Sequence, residues 1–183
     1  MTELESALVE VASLLDEMGL PYMLIGGLAV ALSGEPRATL DVDVSVWVEP
    51  ARFDETVRKI AARFPTMPDA LDFVRRTRVL PVETSRGVRA DIVFAALQAE
   101  REMMDRAQTL FVAGAGIRVA SVEDLTWMKL ISDRPKDAED ARRLIRHFRE
   151  RLDRGYLEPR LREIAEALDR PDILNTYRRE MGL

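Results

Sequence analysis

The sequence predicts an α+β fold, in which a mixed sheet flanked by helices is followed by a helical C-terminal extension. Short apolar runs alternate with helix-like patterns through the first 120 residues, which favours strands and helices within one core. From Ser121 onward, only helical patterns remain. No internal repeat, low-complexity segment or flexible linker separates the two parts. We therefore expect a core over residues 1–120 and a helical part over residues 121–183 that packs on the sheet.

Capping and turn residues delimit the elements of the core. Thr2 and Glu5 form a capping-box pattern ahead of apolar residues at helical spacing. Pro50 stands at a first-turn position of a later helix, and Ser85-Arg86-Gly87 predicts a hairpin turn. The predicted helices cover 2–18, 28–33, 50–64, a short piece after Pro68 and 98–108. The predicted strands cover 22–25, 39–48, 79–83 and 88–94, and a strand or hairpin is expected near 110–119.

The C-terminal part reads as a series of helices. Ser121 is a plausible N-cap for the first helix, with Asp124 three residues further on. Asp133-Arg134-Pro135 ends that helix before a second one begins. A helix over residues 156–168 and a short tail after Pro171 are expected to follow.

Composition excludes several classes of protein. None of the 183 residues is a cysteine, which excludes disulfides and thiolate metal sites and makes a cytoplasmic location the expectation. Apolar runs stay below the roughly 20 residues that a membrane helix needs, so no membrane association is expected. The net charge of −5 argues against a general nucleic-acid binder, although arginines near Arg75 and over 142–151 could form a local basic patch. His147 is the only histidine, so a metal site must use oxygen ligands, which suit Mg²⁺ or Mn²⁺.

Two acids on one predicted strand point to a metal site. Asp41 and Asp43 occupy alternate positions, so both side chains can project from one face while Leu40, Val42 and Val44 face the core. Their backbones are about 6 to 7 Å apart, which allows the two carboxylates to converge on divalent ions. The alternative is an exposed start of a strand without a ligand.

Two further features agree with a site for a metal-bound nucleotide. Gly26-Gly27 follows an apolar strand, and without a β-carbon the backbone can turn tightly and approach a phosphate. Asp91 interrupts another apolar strand, where an acid needs a partner charge or a metal ion to offset its desolvation. A structural ion pair of Asp91 with Arg37 or Arg89 is the alternative, and Gly26-Gly27 could be only a turn.

In this order, Gly26-Gly27, Asp41-Val42-Asp43 and Asp91 resemble the signature of the DNA polymerase β-like nucleotidyltransferase superfamily. The segment over residues 25–43 looks like the minimal bacterial branch related to AbiEii-type toxins. A second block, with Lys129-Leu130 and the segment 134–140, is similar to a later motif of that branch. The resemblance covers residues 20–48 and 119–145 well and the last 35 residues hardly at all. Many polymerase-like enzymes have serine at the position of Gly27, which offers no hydroxyl to a phosphate.

The resemblance implies roles for individual residues. Asp41 and Asp43 would bind the Mg²⁺ or Mn²⁺ ion that carries a nucleoside triphosphate such as ATP. Asp91 would complete the second metal site and help to deprotonate the acceptor hydroxyl. Lys129 would take part in catalysis by placing its positive charge near the triphosphate. The alternative is a surface lysine without a role in the site. The nucleotide-binding residues would be Gly26, Gly27, Arg37 and Lys129, with a structural role as the alternative for Arg37.

The implied activity is metal-dependent transfer of a nucleoside monophosphate to an acceptor hydroxyl. Toxin-like relatives suggest the 3′ end of a tRNA as the acceptor and an antitoxin protein as a candidate partner, whereas antibiotic-modifying relatives suggest a small molecule. The alternative is a non-catalytic nucleotide-binding or partner-regulated module with the same fold. A metal-dependent phosphohydrolase would ordinarily use more histidines or acids. The geometry of the three carboxylates discriminates between catalysis and the non-catalytic module.

Overall fold

The computed structural model describes residues 1–35 and 38–183 and has the expected α+β architecture. The chain divides into two compact units. The first unit comprises Met1–Ala29 with Arg37–Ala120, and the second comprises Val30–Pro36 with Ser121–Leu183. Within the described ranges, none of the helices combines the length and the apolar character that crossing a lipid bilayer requires.

The elements up to residue 120 agree closely with the predicted order. A 3₁₀ turn at Pro50–Arg52 leads into the third helix, as the position of Pro50 predicts. The elements are α1 (Glu3–Glu17), β1 (Tyr22–Ile25), α2 (Gly26–Leu32), β2 (Val42–Val46), α3 (Phe53–Arg63), α4 (Ala70–Thr77), β3 (Val79–Glu83), β4 (Arg89–Phe94), α5 (Gln98–Arg106), β5 (Gln108–Val112) and β6 (Ala115–Val119).

The strands of the described ranges form one mixed sheet in the order β3-β4-β2-β1-β6-β5. β2 runs parallel to β4 and antiparallel to β1, which is itself parallel to β6. Alternate residues of β2 and β4 are buried apolar side chains, as expected for strands that pack one face on the core. These apolar residues are Val42, Val44, Val46, Ala90, Ile92 and Phe94. Ser45 of β2 is buried as well, although it alternates with them. The alternation leaves the acids of both strands on the opposite face.

The second strand is shorter than the sequence predicts. We expected a strand over residues 39–48, but β2 begins at Val42. The Thr39 hydroxyl donates a hydrogen bond of 2.7 Å to Oδ1 of Asp41, and such local bonds compete with strand pairing. The prediction that Leu40 faces the core is therefore wrong, because its side chain is 90% exposed.

Two helix boundaries also differ from the predictions. α2 begins at Gly26 and not at Leu28, so both glycines lie in its first turn. The segment after Pro171 is a helix and not a short tail. Pro171 occupies the first turn of this helix, and Gly182 caps its end with a φ of +75°.

Besides the end of α2, the second unit contains four helices within its described residues: α6 (Val122–Ile131), α7 (Pro135–Phe148), α8 (Arg154–Ala167) and α9 (Pro171–Met181). The predicted cap of α6 is confirmed, because the Ser121 hydroxyl accepts a hydrogen bond from the backbone N–H of Asp124. The fully buried Asp124 carboxylate accepts hydrogen bonds of 2.7 Å from Ser121 and from the Tyr156 hydroxyl. These bonds satisfy a buried charge at the start of α6, where the helix dipole favours an anion.

Candidate active site

The sheet register places two predicted site residues side by side. Asp43 on β2 and Asp91 on β4 are direct partners in the parallel pairing. Partners on neighbouring strands lie about 4.8 Å apart and project from the same face. Asp43 is also paired with Ile25, the last residue of β1, on its other side. The end of β1 and both acids therefore meet at one part of the sheet.

Gly26 packs directly against Asp43. Its φ of +69° belongs to the left-handed region, which glycine adopts without steric cost. A β-carbon at this position would stand 1.9 Å from Oδ2 of Asp43 and 2.7 Å from the β-carbon of Asp43. Both the conformation and the space therefore require glycine here, and Gly27 follows in the first turn of α2.

Arg89 is hydrogen-bonded to Asp91 and lies in the electrostatic field of Asp41 and Asp43. Its guanidinium donates two hydrogen bonds to Asp91, at 3.1 Å to Oδ1 and 3.0 Å to Oδ2. Donation to Asp91 raises the pKa of Arg89, and the negative charges of Asp91, Asp41 and Asp43 raise it further. Asp41 lies in the bend just before β2 and is half-buried. The charges of all three carboxylates thus act on one guanidinium.

The donor set fits a hard divalent cation. Carboxylate oxygens are the ligands that Mg²⁺ and Mn²⁺ prefer, and Gly26 leaves room for the Asp43 carboxylate where any side chain would displace it. Among residues 1–35 and 38–183, no three acidic or histidine side chains already stand in a metal-coordinating arrangement. Both oxygens of Asp91 instead accept hydrogen bonds from Arg89. The ligand chemistry suits the ion, and Arg89 holds one of the candidate ligands.

Lys129 belongs to a buried ion-pair cluster in the second unit. Its side chain is 6% exposed, so the alternative of a surface lysine does not apply. The ammonium group donates a hydrogen bond to Asp137 and lies 3.1 Å from Oδ2 of Asp140. Asp140 on α7 therefore has a cationic partner on α6.

Asp137 is the centre of this cluster. The Ser132 hydroxyl donates a hydrogen bond of 2.7 Å to its carboxylate, and Arg134 donates another. Burial acts to raise the pKa of Asp137, but the hydrogen bonds from Lys129 and Ser132 and the charges of Lys129 and Arg134 outweigh burial, so the pKa lies below its usual value.

The structure brings Gly26, Asp43 and Asp91 together, with Asp41 close enough to act on the same guanidinium. Arg37 lies outside the described residues. The predicted contact of Lys129 with a triphosphate stays a prediction. The ion pair between Asp91 and Arg89, expected as the alternative to a metal role for Asp91, is present. The two-residue spacing on β4 was the available signal, because it puts both side chains on one face.

Comparisons with known proteins identify related sequences and folds. The family model described as nucleotidyltransferase of unknown function (DUF6036) matches residues 2–179, which include most of the last 35 residues. No curated protein gives a significant match.

Three solved structures illustrate the likeness in fold. An antigenic nucleotidyltransferase-like protein from Paracoccidioides brasiliensis has 20% identity and a TM-score of 0.57, over 96% of this chain and 92% of that chain. The antibiotic-resistance factor ANT(2'')-Ia has 17% identity and a TM-score of 0.55, over 90% and 94%. The lincomycin-bound lincosamide antibiotic adenylyltransferase LnuA has 13% identity and a TM-score of 0.50, over 76% and 95%. Identities this low support a shared fold and nothing finer.

Proposed function

This chain belongs to the nucleotidyltransferase family of unknown function (DUF6036), and we propose that it transfers a nucleoside monophosphate from a nucleoside triphosphate to an acceptor hydroxyl, releasing pyrophosphate. The observation that carries the proposal is the acidic face where Asp43 and Asp91 lie side by side and Gly26 packs against Asp43. Nucleotidyl transfer mainly requires in-line positioning and charge neutralisation, for which an acidic face that can bind cations is suited.

The three acids would bind two divalent ions. Asp41 and Asp43 would hold the Mg²⁺ or Mn²⁺ ion that accompanies the triphosphate, and Asp91 would contribute to the second ion site. When bound, these ions would neutralise the charge of the phosphates and polarise the α-phosphate. Asp91 would also accept the proton of the acceptor hydroxyl, which a carboxylate close to the acceptor can do as a general base.

The remaining predicted residues would bind the nucleotide. Gly26 and Gly27 present backbone without side chains at the end of β1, so a phosphate can approach closely. Arg37 would contact a phosphate from its position before Asp41. Lys129 would supply a positive charge to the triphosphate, and its contacts with Asp137 and Asp140 hold the ammonium group in place.

We propose a small molecule as the acceptor. Two of the solved structures with this fold are named for antibiotics or their resistance, ANT(2'')-Ia and LnuA. In the basic segments, Arg75 pairs with Asp54 and Arg146 pairs with Glu180. The 3′ end of a tRNA and an antitoxin partner, both tied to the toxin-like branch, are the alternatives.

A label-transfer experiment tests the proposal. The purified protein is incubated with Mg²⁺, a bacterial extract and each α-labelled nucleoside triphosphate in turn, and label is followed into the RNA, protein and small-molecule fractions. We expect label in the small-molecule fraction with wild type and with the control Asp69→Asn, which changes an exposed acid, but not with Asp43→Asn. Label in RNA would contradict the proposed acceptor. Equal labelling by Asp43→Asn would contradict the assigned site, and no transfer at all would favour the non-catalytic binding module.

A further inference from the structure

We propose that Arg89 is a positioning residue that holds Asp91 in the metal-free protein and gives it up when a divalent ion binds. This inference rests on the proposed function, because it assumes that Asp91 is a metal ligand. Arg89 and Asp91 are the first and third residues of β4, so both side chains project from the same face.

The pair engages the whole carboxylate of Asp91. The planar guanidinium donates through Nε and Nη2 to the two oxygens at 3.1 and 3.0 Å, a geometry that fixes the orientation of the carboxylate. The two side chains differ in exposure: Asp91 is 18% exposed and Arg89 is 67% exposed. Arg89 can therefore swing into solvent, whereas Asp91 stays in place.

The acids around Asp91 explain why the positively charged Arg89 lies beside it. Asp43 is the direct neighbour of Asp91 in the sheet, and like charges in adjacent positions repel each other. The partner of Arg89 on β3 is another acid, Glu83. Without metal, Arg89 offsets this repulsion. Its positive charge acts on the acids of this face as the charge of a bound metal ion would.

A metal ion and Arg89 would compete for Asp91. A metal ion coordinated by Asp91 needs a carboxylate oxygen that Arg89 now engages. The metal ion and the guanidinium would also repel each other, because both are positively charged and both would contact the same carboxylate. An exposed ion pair is weak, so the competition would lower metal affinity by only about two- to fivefold. The displaced guanidinium would then be available to an anionic group of the substrate. The exchange would couple loading of the ion to release of Arg89.

Mn²⁺ binding without nucleotide tests this inference, with free Mn²⁺ measured by electron paramagnetic resonance. We expect Arg89→Gln to bind Mn²⁺ about two- to fivefold more tightly than wild type. Arg86→Gln removes the same charge from an exposed position of the β3–β4 turn and should match wild type, and Arg89→Lys should lie between the two variants.

Two results would overturn the inference, and they are distinguishable. If wild-type binding depends on Asp43 but Arg89→Gln binds Mn²⁺ with unchanged or lower affinity, Arg89 does not compete for Asp91 and the proposed function still stands. If Asp43→Asn binds Mn²⁺ as well as wild type does, the metal site itself is wrong, and the proposed function fails together with the inference. Circular dichroism of each variant shows whether a change in affinity comes from misfolding.

Discussion

Replacing Gly26 by alanine should disable the candidate site by displacing Asp43. The new β-carbon would stand 1.9 Å from Oδ2 of Asp43, where ordinary contacts begin at 3.4 Å, so the carboxylate must retreat by roughly 1.5 Å. Rotation of the carboxylate alone does not relieve the clash, because the β-carbon of Asp43 is also only 2.7 Å away and is fixed by the backbone of β2. Either β2 or the turn at Gly26 must shift.

Two effects should lower the free energy of unfolding of Gly26→Ala. A non-glycine residue in the left-handed region costs about 1–2 kcal/mol. Overpacking against a fixed neighbour adds about 1–3 kcal/mol. A substitution of Gly19 distinguishes backbone strain from overpacking. Gly19 has a similar φ of +64°, but a β-carbon there would meet no heavy atom of the described residues within 4 Å. Gly19→Ala therefore carries the strain without the clash.

Urea unfolding and the label-transfer assay measure the two effects. We expect Gly26→Ala to lose about 1–3 kcal/mol more free energy of unfolding than Gly19→Ala, which is about 2–12 °C in Tm. We also expect Gly26→Ala to lose about 100-fold in transfer rate, since small displacements of reacting groups are that costly, while Gly19→Ala keeps its rate. Equal stability and equal rates of the two variants would refute the argument that Gly26 is required by Asp43.

Three further predictions concern the second unit. Lys129→Met should lower the free energy of unfolding by about 3–5 kcal/mol, because it leaves Asp137 and Asp140 buried without their ammonium partner. In urea titrations this deficit should shrink as the pH falls, since the acids can then be protonated, and a deficit independent of pH would contradict the mechanism. In wild type the lowered pKa of Asp137 contributes stability that is present above about pH 4 and is lost as the pH falls through the folded-state pKa, and Asp137→Asn should flatten this dependence. Tyr156→Phe should cost about 1–3 kcal/mol, because Asp124 loses a buried hydrogen bond, and a Tm equal to that of wild type would show that this bond is dispensable.

Local patterns account for the parts of the fold that the sequence predicts well. The strands Tyr22–Ile25 and Val79–Glu83 have the expected bounds. The first is an apolar run between clear breaks, and the second alternates buried apolar residues with more exposed ones. The apolar character of Leu40 was misleading, since the Thr39–Asp41 hydrogen bond is a polar contact that hydrophobicity does not reveal. The last helix was missed although Ile173, Tyr177 and Met181, all buried, recur at helical spacing.

Contacts between distant segments are what the sequence could not provide. Residue type and order identified Asp43 and Asp91 as candidates, but their adjacency depends on the parallel pairing of β2 with β4, which nothing local encodes. The same holds for the fit of Gly26 against Asp43. Lys129 was predicted to bind a nucleotide, whereas its pairing with two acids of α7 requires the packing of two helices.

The central claim is that the acidic face of β2 and β4 catalyses nucleotidyl transfer, and the fate of the two ends of the triphosphate tests it most directly. In parallel reactions with Mg²⁺, the nucleoside triphosphate carries label on either the α- or the γ-phosphate. The account predicts that α-label enters the acceptor and γ-label leaves as pyrophosphate, at equal rates, and that both processes cease in Asp43→Asn. Appearance of γ-label as inorganic phosphate, or transfer that survives in Asp43→Asn, would contradict it.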